Sequence, residues 1–295
     1  MAGQVQLLAS GPQERFFTAD PDYSYFVESF KKHSNFSCEF VDIDPENNEA
    51  DFGKTVRFKI PQNQGDLLKT LSVKMTLPQI DLTRVYIESV GHAIIEHADL
   101  IIGGEIVQRL TSDYLQIYSE HNVTQTKQKA LEQLVGKYPL RTTDRKVGEV
   151  RTGGIGGNSG IVINGTLGTT SDESFFVDLP FYFYRHPELS IPLCAINKQE
   201  IEVEIKLRTA NELVIKGDGS YSNPETTLKI KEFQMCAEVV FLDCTERIKI
   251  ENTPTDFLIT QLQQDVFDIG VDVNEGKFKL DFTNPVKELY FVVQR

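Results

Sequence analysis

Apolar and polar residues alternate with a period of two along several stretches of the chain. The pattern is clearest in residues 55–60, 71–77, 175–184, 201–208 and 277–282. Such alternation predicts strands that bury one face and expose the other, which is typical of antiparallel sheets. Helical patterns do not recur between these strands, so a βαβ architecture is unfavourable. We therefore predict an all-β fold, a sandwich or barrel.

Two regions have helical patterns instead. One begins near Asp20-Pro21, because Asp is a good N-cap and Pro suits the first helical position. The other lies within residues 111–137, where a polar middle at 122–129 predicts a turn between two pieces. The segment from His92 to Ile95 is interpreted as β-like, and His186-Pro187 as the end of a strand.

Three further segments shape the expected organisation. Residues 141–172 form a long irregular stretch with a glycine-rich centre, and residues 216–226 form a polar turn region. Loops of such length within a β domain are usually functional or mobile. The strong strand pattern at 286–293 ends with the sequence itself, so we expect the natural product to continue.

Composition restricts the class of function. The chain has 43 acidic and 30 basic residues and a formal charge of −13, which disfavours direct binding to nucleic acid. Its four cysteines show no C-x-x-C pair, and neither a signal peptide nor a membrane-spanning run is evident, so we expect production in the cytosol. Three sequons, at Asn35, Asn122 and Asn164, are candidate glycan sites, although chance occurrence is the stronger interpretation.

Sequence motifs of catalysis do not emerge. No Lys follows the glycine-rich loop as a phosphate cradle requires, and no G-x-S-x-G is present. His92 and His97 are five apart on a β-like segment, so their rings would point to opposite faces. Cys194 lies in an apolar setting and is interpreted as a buried, inert thiol. We expect no catalytic, cofactor or metal site and no enzyme, although a pair of catalytic carboxylates remains open.

The N-terminal stretch from Gln4 to Phe40 is the most distinctive. It combines a Gly-Pro break, an acidic residue before Pro, many aromatics and a basic cluster; the informative residues are Gly11, Gln13, Glu14, Thr18, Asp20, Pro21, Tyr25, Phe26, Phe30, Lys31, Lys32, His33, Ser34, Asn35 and Phe36. This stretch resembles the N-terminal signature of the major capsid proteins of nucleocytoplasmic large DNA viruses.

The resemblance continues in order along the chain. Matching segments are 52–54, 64–68, 102–106, 113–115, 179–183, 191–193, 239–247 and 284–294. Two departures concern placement within the family: Asn284 directly precedes Pro285 where a histidine is common between them, and Asp20 stands where Gly-Asn is frequent.

The resemblance implies a double jelly roll: two eight-stranded sandwiches in one chain, with short helices in the N-terminal arm and a loop insertion. The implied domains are an arm at 1–26, a first jelly roll at 27–250 and the start of an incomplete second roll at 251–295. It also implies a homotrimer forming pseudo-hexagonal capsomers of an icosahedral virion. The implied partners are neighbouring capsomers, minor capsid proteins and, indirectly, an inner membrane, with assembly in the host cytoplasm and no cofactor.

Candidate assembly contacts lie in the arm. They are the aromatic and basic residues Phe16, Phe17, Tyr25, Phe26, Phe30, Lys31, Lys32 and His33. The simpler interpretation of the basic residues is a helix end whose dipole they complement. Alternatives for the whole chain are a scaffold or minor capsid protein of the same fold, or a jelly-roll carbohydrate-binding module. The absence of Trp counts against the latter.

Overall fold

The computed structural model describes residues 11, 33–46, 50–78, 80, 84–137, 173–216, 228–268 and 276–292. Its elements belong to one compact unit, Phe36–Arg295. The strands are β1 Phe36–Ile43, β2 Thr55–Lys59, β3 Leu67–Leu77, β4 Arg84–Tyr86, β5 Ile95–Ile102, β6 Glu105–Thr111, β7 Glu173–Asp178, β8 Ile191–Pro192, β9 Ile201–Leu207, β10 Val214–Lys216 and β11 Glu232–Leu242. The helices are α1 Val90–Ala93, α2 Ser112–Asn122, α3 Gln125–Val135, α4 Ala210–Leu213 and α5 Cys244–Asn252, with a short 3-10 turn at Pro187–Leu189.

Nine of the described strands form two antiparallel sheets. The first sheet has the order β1-β11-β3-β7, with β8 paired to the start of β3, and the second has the order β2-β9-β5-β6. The short strands β4 and β10 pair with each other. Each large sheet combines strands from early and late in the sequence, which is the double-sheet arrangement of a jelly roll. The predicted all-β jelly-roll sandwich is therefore confirmed.

The core lies between the two sheets and follows the alternation in the sequence. In β9 the odd-numbered residues are buried and the even-numbered ones partly exposed, as predicted for residues 201–208. Phe58 of the second sheet and Phe233 of the first meet at a ring distance of 5.8 Å. Further fully buried residues from both sheets are Leu71, Val73, Met75, Leu77, Ile95, Leu100, Val177, Val203 and Ile205.

Charged residues pair across strands on the outer faces of both sheets. On the first sheet, Lys74 Nζ lies 2.9 Å from Glu232. On the second, Lys206 Nζ lies 2.7 Å from Glu96. Cross-strand pairs of this kind favour the observed register, although each exposed pair adds little stability. The outward faces of β3 and β11 in the first sheet, and of β5 and β9 in the second, therefore carry paired opposite charges.

The helical pair after β6 matches the two-piece prediction for residues 111–137. Thr111 caps α2, since its Oγ1 accepts a hydrogen bond from the Tyr114 N–H at 3.4 Å. The chain then turns at Val123 and Thr124 before α3. Gly136, with a φ of 76°, is the C-cap residue that follows α3. Positive φ is readily available to glycine, so this residue allows a left-handed helix end.

The β-like interpretation of His92 to Ile95 is wrong for most of the segment. Residues 90–93 form the one-turn helix α1, and β5 begins only at Ile95. Gly91 lies in this turn, and a Cβ there would be 2.9 Å from a methyl of Val177 and 3.1 Å from the backbone of Val135. The close approach of β7 and α3 therefore requires glycine at this position.

The predicted strand at 175–184 is too long. β7 ends at Asp178, and Pro180 follows, which has no N–H to donate to a ladder. The next residues turn instead, since the Phe181 N–H donates to the Leu179 carbonyl at 2.8 Å. Phe181 and Phe183 nevertheless remain buried and stack at 6.0 Å. Alternation thus identified the buried side chains but not the end of the strand.

The predicted strand end at His186-Pro187 is also wrong. His186 lies in extended backbone before the 3-10 turn Pro187–Leu189, and Pro occupies the first position of that turn. The fixed φ of Pro suits the start of a helical turn, which explains why the chain coils here.

The strands predicted at 277–282 and 286–293 do not form within the described residues 276–292. This stretch contacts residues 254–268 through side chains. Gln263 Oε1 accepts from the Thr283 N–H at 2.9 Å, and Phe267 and Phe278 meet at 4.9 Å. A strand needs the backbone of a neighbouring strand as its partner, and these contacts do not provide one.

Several predictions lie outside the described residues. These are the helix near Asp20-Pro21, the loop at 141–172 and most of the turn at 216–226. The domain boundaries at 26 and 250 stay predictions; the eleven strands of the described residues lie within 27–250, and α5 extends across position 250.

Candidate functional site: a carboxylate corner and exposed apolar surfaces

Asp66 forms a corner where the first sheet meets helix α5. Its side chain is nearly buried, with the residue 7% exposed. Asp66 Oδ2 accepts from the Leu242 N–H at 2.8 Å, and Oδ1 lies 3.4 Å from Arg247 Nε in an ion pair. The Asp66 backbone donates to the Val240 carbonyl at 2.9 Å and accepts from the Cys194 N–H at 3.2 Å. Four parts of the chain are therefore joined at one residue.

The neighbouring Gly65 fits the same corner. A Cβ at position 65 would lie 2.6 Å from the Val239 Cβ, closer than side-chain packing allows. The Gly-Asp pair of segment 64–68 and the Glu-Arg pair of segment 239–247 thus belong to one structural unit. Sequence reasoning noted both segments but did not pair them, because nothing local connects them.

An apolar surface lies on the edge strand β1. Phe36 is 63% exposed and Phe40 is 69% exposed, and the period of two places both on the outer side with Cys38. β1 pairs with β11 along one edge in the described sheet. Long edge strands with exposed apolar side chains tend to associate with other protein surfaces. Sequence reasoning did not identify this surface, because alternation alone would turn the apolar residues 36, 38 and 40 toward a core, whereas Ile43 on the opposite face is the buried one.

A second apolar surface is spread along residues 257–292. Its exposed large side chains are Phe257, Leu258, Val266, Phe267, Phe278, Leu280, Val286, Leu289, Phe291 and Val292. Gln261 Nε2 donates to the Val107 carbonyl of β6 at 2.9 Å, and the rings of Tyr290 and His121 lie 5.3 Å apart. The segment therefore contacts the second sheet and α2 while leaving apolar area in water.

Of the predicted assembly contacts, the structure describes only His33. It is exposed, and its Nδ1 lies 3.0 Å from the Ser34 carbonyl. Phe16, Phe17, Tyr25, Phe26, Phe30, Lys31 and Lys32 lie outside the described residues.

Two of the three sequons lie in described parts of the chain. Asn35 is exposed just before β1. Asn122 ends α2 and is half-buried, and its Oδ1 accepts from Arg185 Nη1 at 2.7 Å. Asn164 lies outside the described residues. Glycosylation at these positions stays a prediction.

His92 and Cys194 are both buried in the sandwich. His92 is buried, and its Nδ1 lies 3.0 Å from Gln116 Oε1; burial lowers the pKa of His92. Cys194 is buried as predicted, and burial raises the pKa of its thiol. Within the described parts of the chain, no three His, Cys, Asp or Glu residues cluster as metal ligands would.

Among the described residues, no helix has the length and apolar character that a membrane span needs.

Comparison with known sequences gives one consistent family. The family described as "Major capsid protein N-terminus" matches residues 24–243. Capsid protein 1 of Acanthamoeba polyphaga mimivirus is 29% identical over 99% of this chain and 48% of its own length. The major capsid protein of Phaeocystis pouchetii virus is 26% identical over 99% of this chain and 58% of its own length. The chain thus spans about half the length of the curated relatives it matches.

Solved structures show the same fold. VP54 of PBCV-1, fitted into a reconstruction of the virophage Sputnik, has a TM-score of 0.61 at 19% identity, covering 81% of this chain and 50% of VP54. The Faustovirus major capsid protein has a TM-score of 0.57 at 12% identity, covering 82% of this chain and 60% of its own. At these identities the likeness concerns the fold, whereas the family match covers most of the sequence. The chain therefore belongs to the major capsid protein family.

Proposed function

We propose that this chain is a structural subunit of the shell of a large DNA virus. Three copies would form a pseudo-hexagonal capsomer, and many capsomers would build an icosahedral capsid. The observation that carries the proposal is the jelly roll formed by the two large sheets, whose described strands all lie within the family match at 24–243. Relatives of matching sequence are named as capsid proteins.

The core and the surface of the sandwich support the proposal that the chain is a structural subunit. Its core is continuous between two sheets, and its outer faces pair charges across strands. A dense core of this kind is stiff and resists compression. The exposed apolar side chains on β1 and along 257–292 offer area that contacts between subunits would bury. A rigid sandwich with exposed apolar surfaces is suited to a lattice made of many copies.

The partners follow from this role. We propose contacts with neighbouring capsomers and minor capsid proteins, and only indirect contact with an inner membrane. The formal charge of −13 disfavours a direct role in binding nucleic acid. The location would be the virion capsid, with assembly in the host cytoplasm. The aromatic and basic residues at 16–33 are proposed as contacts between subunits.

The native mass of the purified chain tests the trimer. Native mass spectrometry should give three times the chain mass of 33.4 kDa, and denaturation should return the single chain. A concentration series distinguishes specific assembly from aggregation, because a specific trimer reaches a plateau. A single-chain mass across the whole series would contradict the proposed capsomer.

A further inference from the structure

Helix α5 is the first element after the sandwich, and its own residues do little to fix its position. It runs for nine residues, Cys244–Asn252, with no buried residue among them. Helices of this length are marginal in water without tertiary contacts. Asp243 caps its first turn through its backbone carbonyl, which accepts from the Glu246 and Arg247 N–H groups. Its orientation must therefore be set from outside the helix.

The Asp66 carboxylate supplies two contacts on either side of the strand–helix junction. Leu242 is the last residue of β11, and its N–H donates to Asp66 Oδ2 at 2.8 Å. Arg247 lies in the first turns of α5, and its Nε is 3.4 Å from Asp66 Oδ1. Only Asp243 separates β11 from α5. Two contacts from one carboxylate across one connecting residue define the angle between the strand and the helix.

Asp66 is itself held firmly enough to act as a reference point. Its N–H donates to the Val240 carbonyl, and its carbonyl accepts from the Cys194 N–H. The residue is 7% exposed, so the carboxylate has little freedom to change partners. The same Arg247 Nε donates its hydrogen bond to Glu251 Oε1 at 3.0 Å, so its contact with Asp66 is an ion pair. The guanidinium is thus placed between a fixed carboxylate of the sandwich and one of its own helix.

We infer that the Asp66–Arg247 pair is a positioning device that sets the direction in which the chain leaves the sandwich. By fixing α5, the pair places residues 254–268 along the edge of the second sheet, where Gln261 contacts the Val107 carbonyl of β6. The inference concerns the single chain and holds whatever its oligomeric state. It assigns a role to two residues that lie far apart in the sequence.

The test is a distance measurement between spin labels on the 295-residue chain. Labels are attached at Glu105→Cys on β6 and Asp265→Cys on the following segment, both exposed positions. Cys38, Cys236 and Cys244 are replaced by Ser to prevent labelling elsewhere. The parent protein should give a narrow distance distribution, and Arg247→Ala should broaden it at least about twofold, because α5 loses its external contact.

Two further variants complete the experiment. Asp66→Asn retains an oxygen for the Leu242 N–H but removes the charge, so it should broaden the distribution as Arg247→Ala does. Lys249→Ala removes an equal charge from an exposed position of the same helix and should leave the distribution narrow. The urea midpoint of the sandwich should remain that of the parent in all three variants.

The outcomes separate positioning from general stability. Broadening in both pair variants with an unchanged urea midpoint supports the inference. An unchanged distribution in Arg247→Ala or in Asp66→Asn overturns it. Broadening accompanied by a lowered urea midpoint also overturns it, because the pair would then stabilise the whole sandwich rather than direct the chain. Broadening in Lys249→Ala would show that charge alone is responsible and would overturn it as well.

Discussion

Gly65 packs against Val239 with no room for a side chain. An added Cβ would lie 2.6 Å from the Val239 Cβ, and Val239 is itself 2% exposed. Overpacking of a dense interior typically costs about 1–3 kcal/mol. We therefore expect Gly65→Ala to lower the free energy of unfolding by that amount, measured by chemical denaturation.

The matched control combines Gly65→Ala with Val239→Ala. Removing the Val239 methyls frees the space that the new Cβ needs, so the double variant should be more stable than the sum of the single effects predicts. Additive effects would show that the contact with Val239 is not the cause of the loss.

His92 makes stability depend on pH. Burial lowers the pKa of His92 from its ordinary 6.5, although the hydrogen bond with Gln116 opposes this. The folded state therefore binds fewer protons than the unfolded state as the pH falls through this range. The contribution of His92 is complete above the unfolded pKa and is lost as the pH falls below about 6.5. Urea unfolding between about pH 8 and pH 5 should record this loss.

The control for this prediction is His92→Gln. Gln retains hydrogen-bonding capacity but does not titrate, so its stability should fall less steeply between neutral and mildly acidic pH. Because carboxylates titrate in both proteins, only the difference between the two slopes reports on His92. Equal slopes would refute a role for this residue.

At the scale of elements, the contact between the two sheets dominates the energy of the sandwich. Phe58 of β2 is fully buried and meets Phe233 of β11 at 5.8 Å. Truncation of a buried Phe typically costs about 3–5 kcal/mol, because transfer and cavity effects add. Phe58→Ala should therefore destabilise the fold by this amount in urea unfolding.

Phe40→Ala is the matched control for Phe58→Ala. The same side chain is removed from β1, where Phe40 is 69% exposed. Exposed substitutions usually change stability by no more than about 0.5 kcal/mol. A comparable loss in both variants would mean that the two positions do not differ in burial as the structure describes.

The strands that the sequence predicted correctly have one face in the core. Apolar and polar residues alternate in β2, β3 and β9 because their outward side chains meet water and charge partners. The sequence alone therefore shows which face is buried. Periodicity does not report where backbone partners end. β7 stops before Pro180 although its apolar face continues to Phe183, and residues 276–292 alternate without a described strand partner.

The corner at Asp66 was not predictable in the same way. Its carboxylate contacts Leu242, the last residue of the sandwich strand β11, and Arg247 of α5, both far from Asp66 in the sequence. Only the topology, with β11 beside β3, brings these residues together. Short motifs marked both sides of the corner, but spacing along the chain could not pair them. The tight turn at α1 was hidden for the same reason, since it depends on packing against β7 and α3.

At the scale of the whole molecule, the acidic charge and the apolar surfaces act in opposite directions. A net charge of −13 keeps copies apart at long range, whereas exposed side chains such as Phe36 and Phe291 favour contact at short range. Assembly under this balance should strengthen as salt screens the charge.

The most direct test of the proposed capsid role is cryo-electron microscopy of the purified oligomer. The account predicts particles with threefold symmetry and a pseudo-hexagonal outline, in which each copy places its sandwich in the same orientation. Monomeric particles, or dimers with twofold symmetry, would contradict it.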